Sequence, residues 1–199
     1  MDEEIEESYQ RFLCCDNLKE FLSLWASFYE NEVYIPGYLS KFVAAGDNPE
    51  ATFEMGKKFQ EITKCGVICT SSQVTILGKQ KGYITAFINQ SIRKELVEDL
   101  NRYSGIVAFT SKIFYKQDCY EGHDSIYVTY DKNCKGYSRV HAGDGGDYGS
   151  YSFIRKYLNN AMCKIFNSED YCFLTIINPS YESSPEYCID VLLECLKEN

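Results

Sequence analysis

Apolar and polar positions alternate along the chain with two periods, one typical of helices and one typical of strands. Between residues 17 and 29 apolar side chains recur every three or four positions, which predicts a helix with one buried face. The residues of this stripe are Leu18, Phe21, Leu22, Trp25 and Phe28. We expect Trp25, the single tryptophan of the chain, to be buried between this helix and a sheet.

The same helical period, together with residues that cap helix ends, predicts five further helices. Asn48 followed by Pro49 marks the start of one of them, and Gly66 marks its end. Ser150 caps another, and Ser184 with Pro185 opens the last. The remaining two cover about 3–13 and 91–103.

Short runs of β-branched and aromatic residues between these helices predict the strands. They cover about 67–69, 74–77, 83–88, 106–110, 126–130 and 171–177. Residues 70–73 are predicted to form a polar turn, and residues 78–82 a hairpin loop. Because helices and strands interleave, we expect one α/β or α+β domain over residues 1–199. It would have a mixed β-sheet of about five to six strands with helices packed on it.

The charge of the chain narrows the classes of partner. Its 199 residues carry a formal net charge of −9, which repels phosphate backbones and anionic lipid surfaces. We therefore expect no nucleic acid and no membrane among its partners. No apolar run reaches the length of a membrane span, and the acidic first residues are unlike a signal peptide. These features predict a cytoplasmic, intracellular protein that needs no cofactor and binds a small-molecule ligand or a protein partner.

Cysteine is abundant, with ten residues in the chain. In an exported protein this number would indicate disulfides. Without an export signal we expect reduced thiols, most of them buried as small apolar side chains. Cys188 and Cys195 illustrate this, because both lie on the apolar stripe of the last predicted helix.

The first candidate binding site is the predicted polar turn that carries Thr70, Ser72 and Gln73. It follows a buried strand, and in open α/β sheets ligands bind in the crevice outside the carboxyl ends of strands. Hydroxyl and amide groups offer neutral hydrogen bonds, which suit recognition better than proton transfer. The alternative is a polar turn that only caps the backbone of its own strand.

The second candidate is the glycine-rich segment 141–149, which contributes His141, Asp144 and Asp147. Its glycines allow the backbone to approach a ligand closely, and its aspartates are of the type that binds cations. The segment lacks the spacing of a calcium loop, and no Gly-Lys-Ser/Thr follows to make a phosphate loop. A plain surface loop is the alternative.

A zinc site is a weaker candidate. Its ligands would be Cys119, His123, Cys134 and His141, but their spacing fits no common zinc motif, so no metal is predicted.

Part of the chain resembles a known family. Trp25 stands after a leucine-rich helical stretch and Pro49 opens the next helix, and two motifs follow. They are Gly66-Val67-x-Cys69-Thr70-x-Ser72-Gln73 and Gly82-Tyr83-Ile84-Thr85-Ala86-Phe87-Ile88. On these residues the stretch from about 18 to 90 resembles an uncharacterised domain family of actinobacteria and some large viruses. Members of that family carry a Gly-Phe-x-Thr-x-x-Ser-Gln-Pro turn, and here Val74 replaces the proline. The family has no known activity, so the resemblance implies a fold unit and no chemistry.

Two classes of function stay open at this point. The first is a non-enzymatic binding or interaction protein, which binds a small ligand or serves as an assembly component, for example of a virus. The alternative is a small hydrolase or transferase with its site at the 70–73 turn and the 141–149 loop. Such an enzyme would use Cys69, Ser71 or Ser72 as nucleophile with a histidine as base, although no sequence signature joins them.

Overall fold

The computed structural model of the chain describes a defined set of residues. These are 3–35, 42, 49–77, 81–112, 124–130, 136–142, 159–166, 169–180 and 182–198. Of 124–130 and 136–142, and of Pro49, Ala51, Ser71, Gln73 and Lys112, it describes the backbone alone.

Six helices are described, and local sequence sets where several of them begin. They are α1 (Glu3–Cys14), α2 (Leu18–Tyr29), α3 (Pro49–Lys64), α4 (Arg93–Leu100), α5 (Asn160–Ile165) and α6 (Tyr187–Glu198). The Asn17 side chain caps α2 by accepting the Glu20 N–H at 2.9 Å. Asn159 caps α5 by accepting two N–H groups, which is why this helix begins at Asn160. The predicted start at Ser150 falls before it, and residues 143–158 lie outside the described residues.

Four strands form one sheet in the order β1-β2-β6-β3, and every ladder in it is antiparallel. The strands of the chain are β1 (Ile68–Gln73), β2 (Tyr83–Asn89), β3 (Val107–Lys112), β4 (Asp124–Tyr130), β5 (Gly136–Ala142) and β6 (Tyr171–Ile177). β4 and β5 pair with each other as a separate two-stranded sheet.

The last strand of the chain, β6, occupies an interior position of the four-stranded sheet. β2 and β3 both run antiparallel to it, so these two strands run parallel to each other on either side. The link from β2 to β3 passes through α4, as a crossover between parallel strands requires. All seven residues of β6 are buried, which explains why Thr175 alone interrupts its apolar run.

The combination of helices with an antiparallel sheet confirms the α+β architecture expected from the sequence. The prediction of one mixed sheet of five to six strands is wrong for the described residues, where the main sheet has four strands and no parallel ladder. Apolar periodicity locates strands but not the neighbour with which each one pairs. β4 and β5 are separated by residues 131–135 alone, and so short a connection favours a hairpin between them.

An aromatic cluster joins α2 to the sheet. Trp25 is 2% exposed, as expected, and its ring stacks on Phe21 with centroids 5.7 Å apart. Phe21 contacts Phe166 at the end of α5 at 5.6 Å, and Phe166 contacts Phe87 of β2 at 6.0 Å. Edge-to-face and stacked pairs at these distances stabilise the core beyond their area burial. In the part of the chain described, no helix has both the length and the apolar content needed to cross a bilayer.

Candidate functional site

Residues 70–73, predicted as a turn, form the second half of β1 instead. They pair with β2 after a bulge between Cys69 and Ser71. The Thr70 hydroxyl lies 3.1 Å from the Thr85 hydroxyl of β2, which places both side chains on one face of the sheet. The turn prediction failed because pairing with a neighbouring strand outweighs the turn preference of a serine-rich sequence. The strand predicted over 74–77 is also wrong, since β1 ends at Gln73.

Among the other residues of the first candidate site, Ser72 is exposed in β1 opposite Ile84. Gln73 pairs with Tyr83 through the backbone, and its side chain lies outside the described residues. Thr70 and Ser72 therefore lie within β1, an edge strand of the four-stranded sheet, rather than in a turn that follows a strand. A ligand role for Ser72 and Gln73 stays a prediction.

The second candidate site is described in part. His141 lies in β5 opposite Ser125 rather than in the predicted loop. Asp144 and Asp147 lie outside the described residues, as do the zinc candidates Cys119, His123 and Cys134. An approach of β1 to the glycine-rich segment therefore stays a prediction.

Two buried polar groups, which the sequence analysis missed, lie at one end of the sheet. Thr75 is 3% exposed and Asn178 is fully buried. Neither the Thr75 hydroxyl nor the Asn178 Nδ2 has a hydrogen-bond partner among the described residues. The register joins Gln73 to Tyr83 and Tyr83 to Ile177, and Thr75 and Asn178 follow Gln73 and Ile177 along the chain.

Asn178 is held in place by its remaining groups. Its backbone N–H donates to the Gly82 carbonyl oxygen at 2.9 Å, and its Oδ1 accepts the Ser180 N–H at 2.9 Å. Gly105, at φ +75°, faces the same side chain, because a Cβ there would lie 3.6 Å from Oδ1. Because the Asn178 side chain is fully buried, this end of the sheet is part of the core and does not form an open binding site.

An open groove lies between α2 and the last turn of α3. Its volume is 580 Å³, and Leu18, Leu22 and Ala26 of α2 form its apolar floor. Thr63 lines the other wall, and its hydroxyl already donates to the Phe59 carbonyl oxygen at 2.8 Å. The three apolar residues are spaced four positions apart, so they form one continuous stripe along the helix.

This stripe is the partly exposed margin of the apolar face of α2. The centre of the face packs into the core through Phe21, Leu24, Trp25 and Tyr29, all of which are buried. Leu18 and Leu22 also pack against this core, but they are only partly buried, and so is Ala26. The sequence analysis had assigned Leu18 and Leu22 to the buried face.

Two lysines border the groove. Lys64 forms an ion pair with Glu61 at 2.5 Å on the surface of α3. Lys19 is exposed and forms no ion pair with any described residue. The groove therefore combines an apolar floor with a local positive charge in a protein whose formal net charge is −9.

The buried cysteines among the described residues are poor nucleophiles. All eight are free thiols, as expected for reduced cysteines, and five of them are buried. Burial raises the pKa of Cys69, the candidate nucleophile on β1, far above its ordinary value. Burial also raises the pKa of Cys188 to about 12. Since the thiolate is the reactive form, these side chains are inert at neutral pH.

The comparisons with known proteins leave the fold and the groove as the basis for a functional conclusion. The resemblance of residues 18–90 to a domain family stays a prediction. No model of a known protein family matches the chain, and no curated protein sequence matches it significantly.

Proposed function

We propose that this chain is a non-enzymatic interaction protein whose α2–α3 groove binds an acidic amphipathic helix of a partner protein. The observation that carries the proposal is the partly exposed apolar stripe of Leu18, Leu22 and Ala26, which forms the floor of a 580 Å³ groove between two lysines.

The shape of the groove suits a helix. Leu18 and Ala26, with Leu22 midway, lie eight positions apart, or about 12 Å along the axis of α2. Recognition of a helix in a groove uses apolar anchors repeated every three or four residues, and this stripe offers a matching row of contacts. An open groove leaves the far side of the bound helix in water, where polar residues are favourable.

The charge of the groove selects the partner. A chain with a formal net charge of −9 repels acidic partners over most of its surface, so Lys19 and Lys64 favour one docking position. The Lys64–Glu61 pair is exposed, and exposed pairs contribute at most about 1 kcal/mol, so Lys64 can exchange it for a partner's carboxylate.

The chemistry of the described thiols favours binding over catalysis. A hydrolase or transferase centred on β1 would need an activated nucleophile, and the raised pKa of Cys69 opposes that role. Ser72 is exposed in an edge strand, and His141, one of the two histidines that could serve it, lies in a separate hairpin ladder.

The experiment is a selection from a displayed library of helical peptides, followed by affinity measurements on the best binder. We expect peptides with apolar residues at positions i, i+3 and i+4 and with acidic flanks. Leu22→Ser should weaken binding about tenfold or more, since it removes an apolar contact worth roughly 1.5–3 kcal/mol. Lys19→Glu should also weaken binding of the peptide, and it should reduce the dependence of the affinity on salt concentration.

Leu77→Ser is the matched control, because Leu77 is 74% exposed and does not line the groove. Affinity that is unchanged in Leu22→Ser, with an unchanged melting temperature, would contradict the proposal. If the chain instead forms a dimer that Leu22→Ser dissociates, the occupant is a second copy and the partner class is wrong.

A further inference from the structure

A second cavity lies between the start of α4 and the edge strand β3. Its volume is 510 Å³, and it shares no lining residue with the α2–α3 groove. Its lining residues are Gln90, Arg93, Lys94, Val97, Glu98 and Thr110. Arg93, Lys94 and Glu98 are exposed, so the cavity is open to solvent on the side of α4.

The two cations of this cavity are placed where the helix itself disfavours them. Arg93 and Lys94 are the first two residues of α4, and a helix N-terminus carries partial positive charge. Ile92, at the cap position, provides no capping side chain. Residues whose charge conflicts with the helix dipole in this way are expected at functional sites, where a bound ligand compensates for the unfavourable interaction.

Arg93 is also available for a ligand. It forms no ion pair with any described residue, whereas Arg102, just beyond the other end of α4, pairs with Asp99 at 2.7 Å. Lys94 lies 4.0 Å from Glu98, and its side chain is 86% exposed. The Arg93 N–H bonds within the preceding turn, to the Gln90 carbonyl oxygen at 3.3 Å. The site therefore depends on side chains rather than on free backbone groups of the helix end.

We infer that this cavity binds a phosphorylated sugar or polyol of monosaccharide size. The Arg93 guanidinium can donate two parallel hydrogen bonds to a phosphoryl group, and Lys94 adds a second positive charge. The Gln90 Nε2 already donates to the Tyr171 carbonyl oxygen at 3.5 Å, which leaves the Gln90 Oε1 to accept from a sugar hydroxyl. The Thr110 hydroxyl can donate to or accept from a second sugar hydroxyl, and Glu98 can accept from one. Val97 supplies a small apolar surface for the carbon skeleton.

The lining excludes a nucleotide as the preferred ligand. Nucleobases are usually held by stacking on aromatic side chains, and none of the six lining residues is aromatic. The inference does not depend on the α2–α3 groove, so either proposal can fail without the other.

The test is calorimetric titration of the whole chain with ribose 5-phosphate, ribose and inorganic phosphate at low salt. Ribose 5-phosphate should bind more tightly than either fragment. Arg93→Gln should weaken binding roughly ten- to a hundredfold, as the loss of charge-assisted hydrogen bonds does. Thr110→Val should weaken ribose 5-phosphate binding but leave phosphate binding unchanged.

Arg102→Gln is the matched control, and it should bind ribose 5-phosphate as the natural chain does. An absence of saturable binding would overturn the inference, and so would equal weakening by Arg93→Gln and Arg102→Gln. Equal affinity for inorganic phosphate and ribose 5-phosphate would overturn the sugar part of the ligand class.

Discussion

The hydroxyl of Tyr29 donates a hydrogen bond to the carbonyl oxygen of Cys69 at 3.2 Å, in the buried core. It also accepts from the Trp25 indole Nε1 at 3.3 Å. One hydroxyl thus joins the end of α2 to the bulged part of β1 and satisfies an indole N–H that would otherwise be buried without a partner. Buried polar groups are costly unless they are paired, so this contact matters more than an exposed one.

Tyr29→Phe should therefore lower the free energy of unfolding by about 1–3 kcal/mol, because it leaves both the indole and the Cys69 carbonyl without this partner. Urea denaturation followed by Trp25 fluorescence measures the change. Ser23→Ala, an exposed position on the same helix, should stay within about 0.5 kcal/mol of the natural chain. Equal stability of the two variants would show that Tyr29 does not carry this link.

The buried Thr75 hydroxyl predicts an exception among core substitutions: its removal should not lower the free energy of unfolding. Thr75→Val should be neutral or stabilising by up to about 1 kcal/mol, because it removes a buried hydroxyl that has no partner among the described residues. Thr63→Val is the matched control, since the Thr63 hydroxyl is equally buried but donates to Phe59. That variant should lose about 1 kcal/mol. A similar loss in Thr75→Val would mean that a bound water or ligand satisfies Thr75.

Thiol reactivity should follow burial. In the native chain at neutral pH, Cys14 and Cys65 are exposed and should be alkylated first, whereas Cys69 and Cys188 should react only on unfolding. Peptide mass mapping after timed alkylation assigns each site. In denaturant without reductant, most of the ten cysteines should react. Recovery of three or more disulfides from protein alkylated at lysis would contradict the expectation of reduced thiols.

The same thiols predict a loss of stability at alkaline pH. Burial raises the pKa of Cys172 to about 11 and that of Cys188 to about 12, from 9.0. Above pH 9 the unfolded chain releases thiol protons that the folded chain retains. The stabilisation that comes from these buried thiols is therefore fully present below pH 9. It is lost as the pH rises through their pKa values in the folded chain. Urea midpoints between pH 8 and 10.5 should fall in the natural chain.

Cys188→Ala provides the comparison for this pH dependence. Its stability should fall less steeply with pH, by about 1–2 kcal/mol over the same interval, because one of the titrating groups is gone. Parallel curves for the two proteins would assign the alkaline loss to other groups.

Much of the fold could be predicted from the sequence, and the failures have physical causes. The positions of α2, α3, β2 and β6 follow from apolar periods and capping residues. Periodicity could not show how far around α2 the core extends. Leu18 and Leu22 lie close in angle to Phe21 and Trp25, so the pattern does not distinguish the buried centre of the apolar face from its partly exposed margin.

The candidate sites were harder to predict than the fold. The groove depends on how α2 packs against α3, and the orphaned groups of Thr75 and Asn178 are defined by missing partners. Both are properties of the folded chain rather than of local sequence. The one available signal was Asn178 itself, a polar residue placed directly after the apolar strand β6.

The interior position of β6 has a consequence for folding during synthesis. β2 and β3 emerge from the ribosome long before residues 171–177, yet each needs β6 as its shared neighbour. The sheet therefore closes only after most of the chain has been made, through contacts of large sequence separation. Such topologies fold slowly, and the unpaired edges of β2 and β3 stay exposed to aggregation or to chaperones in the meantime.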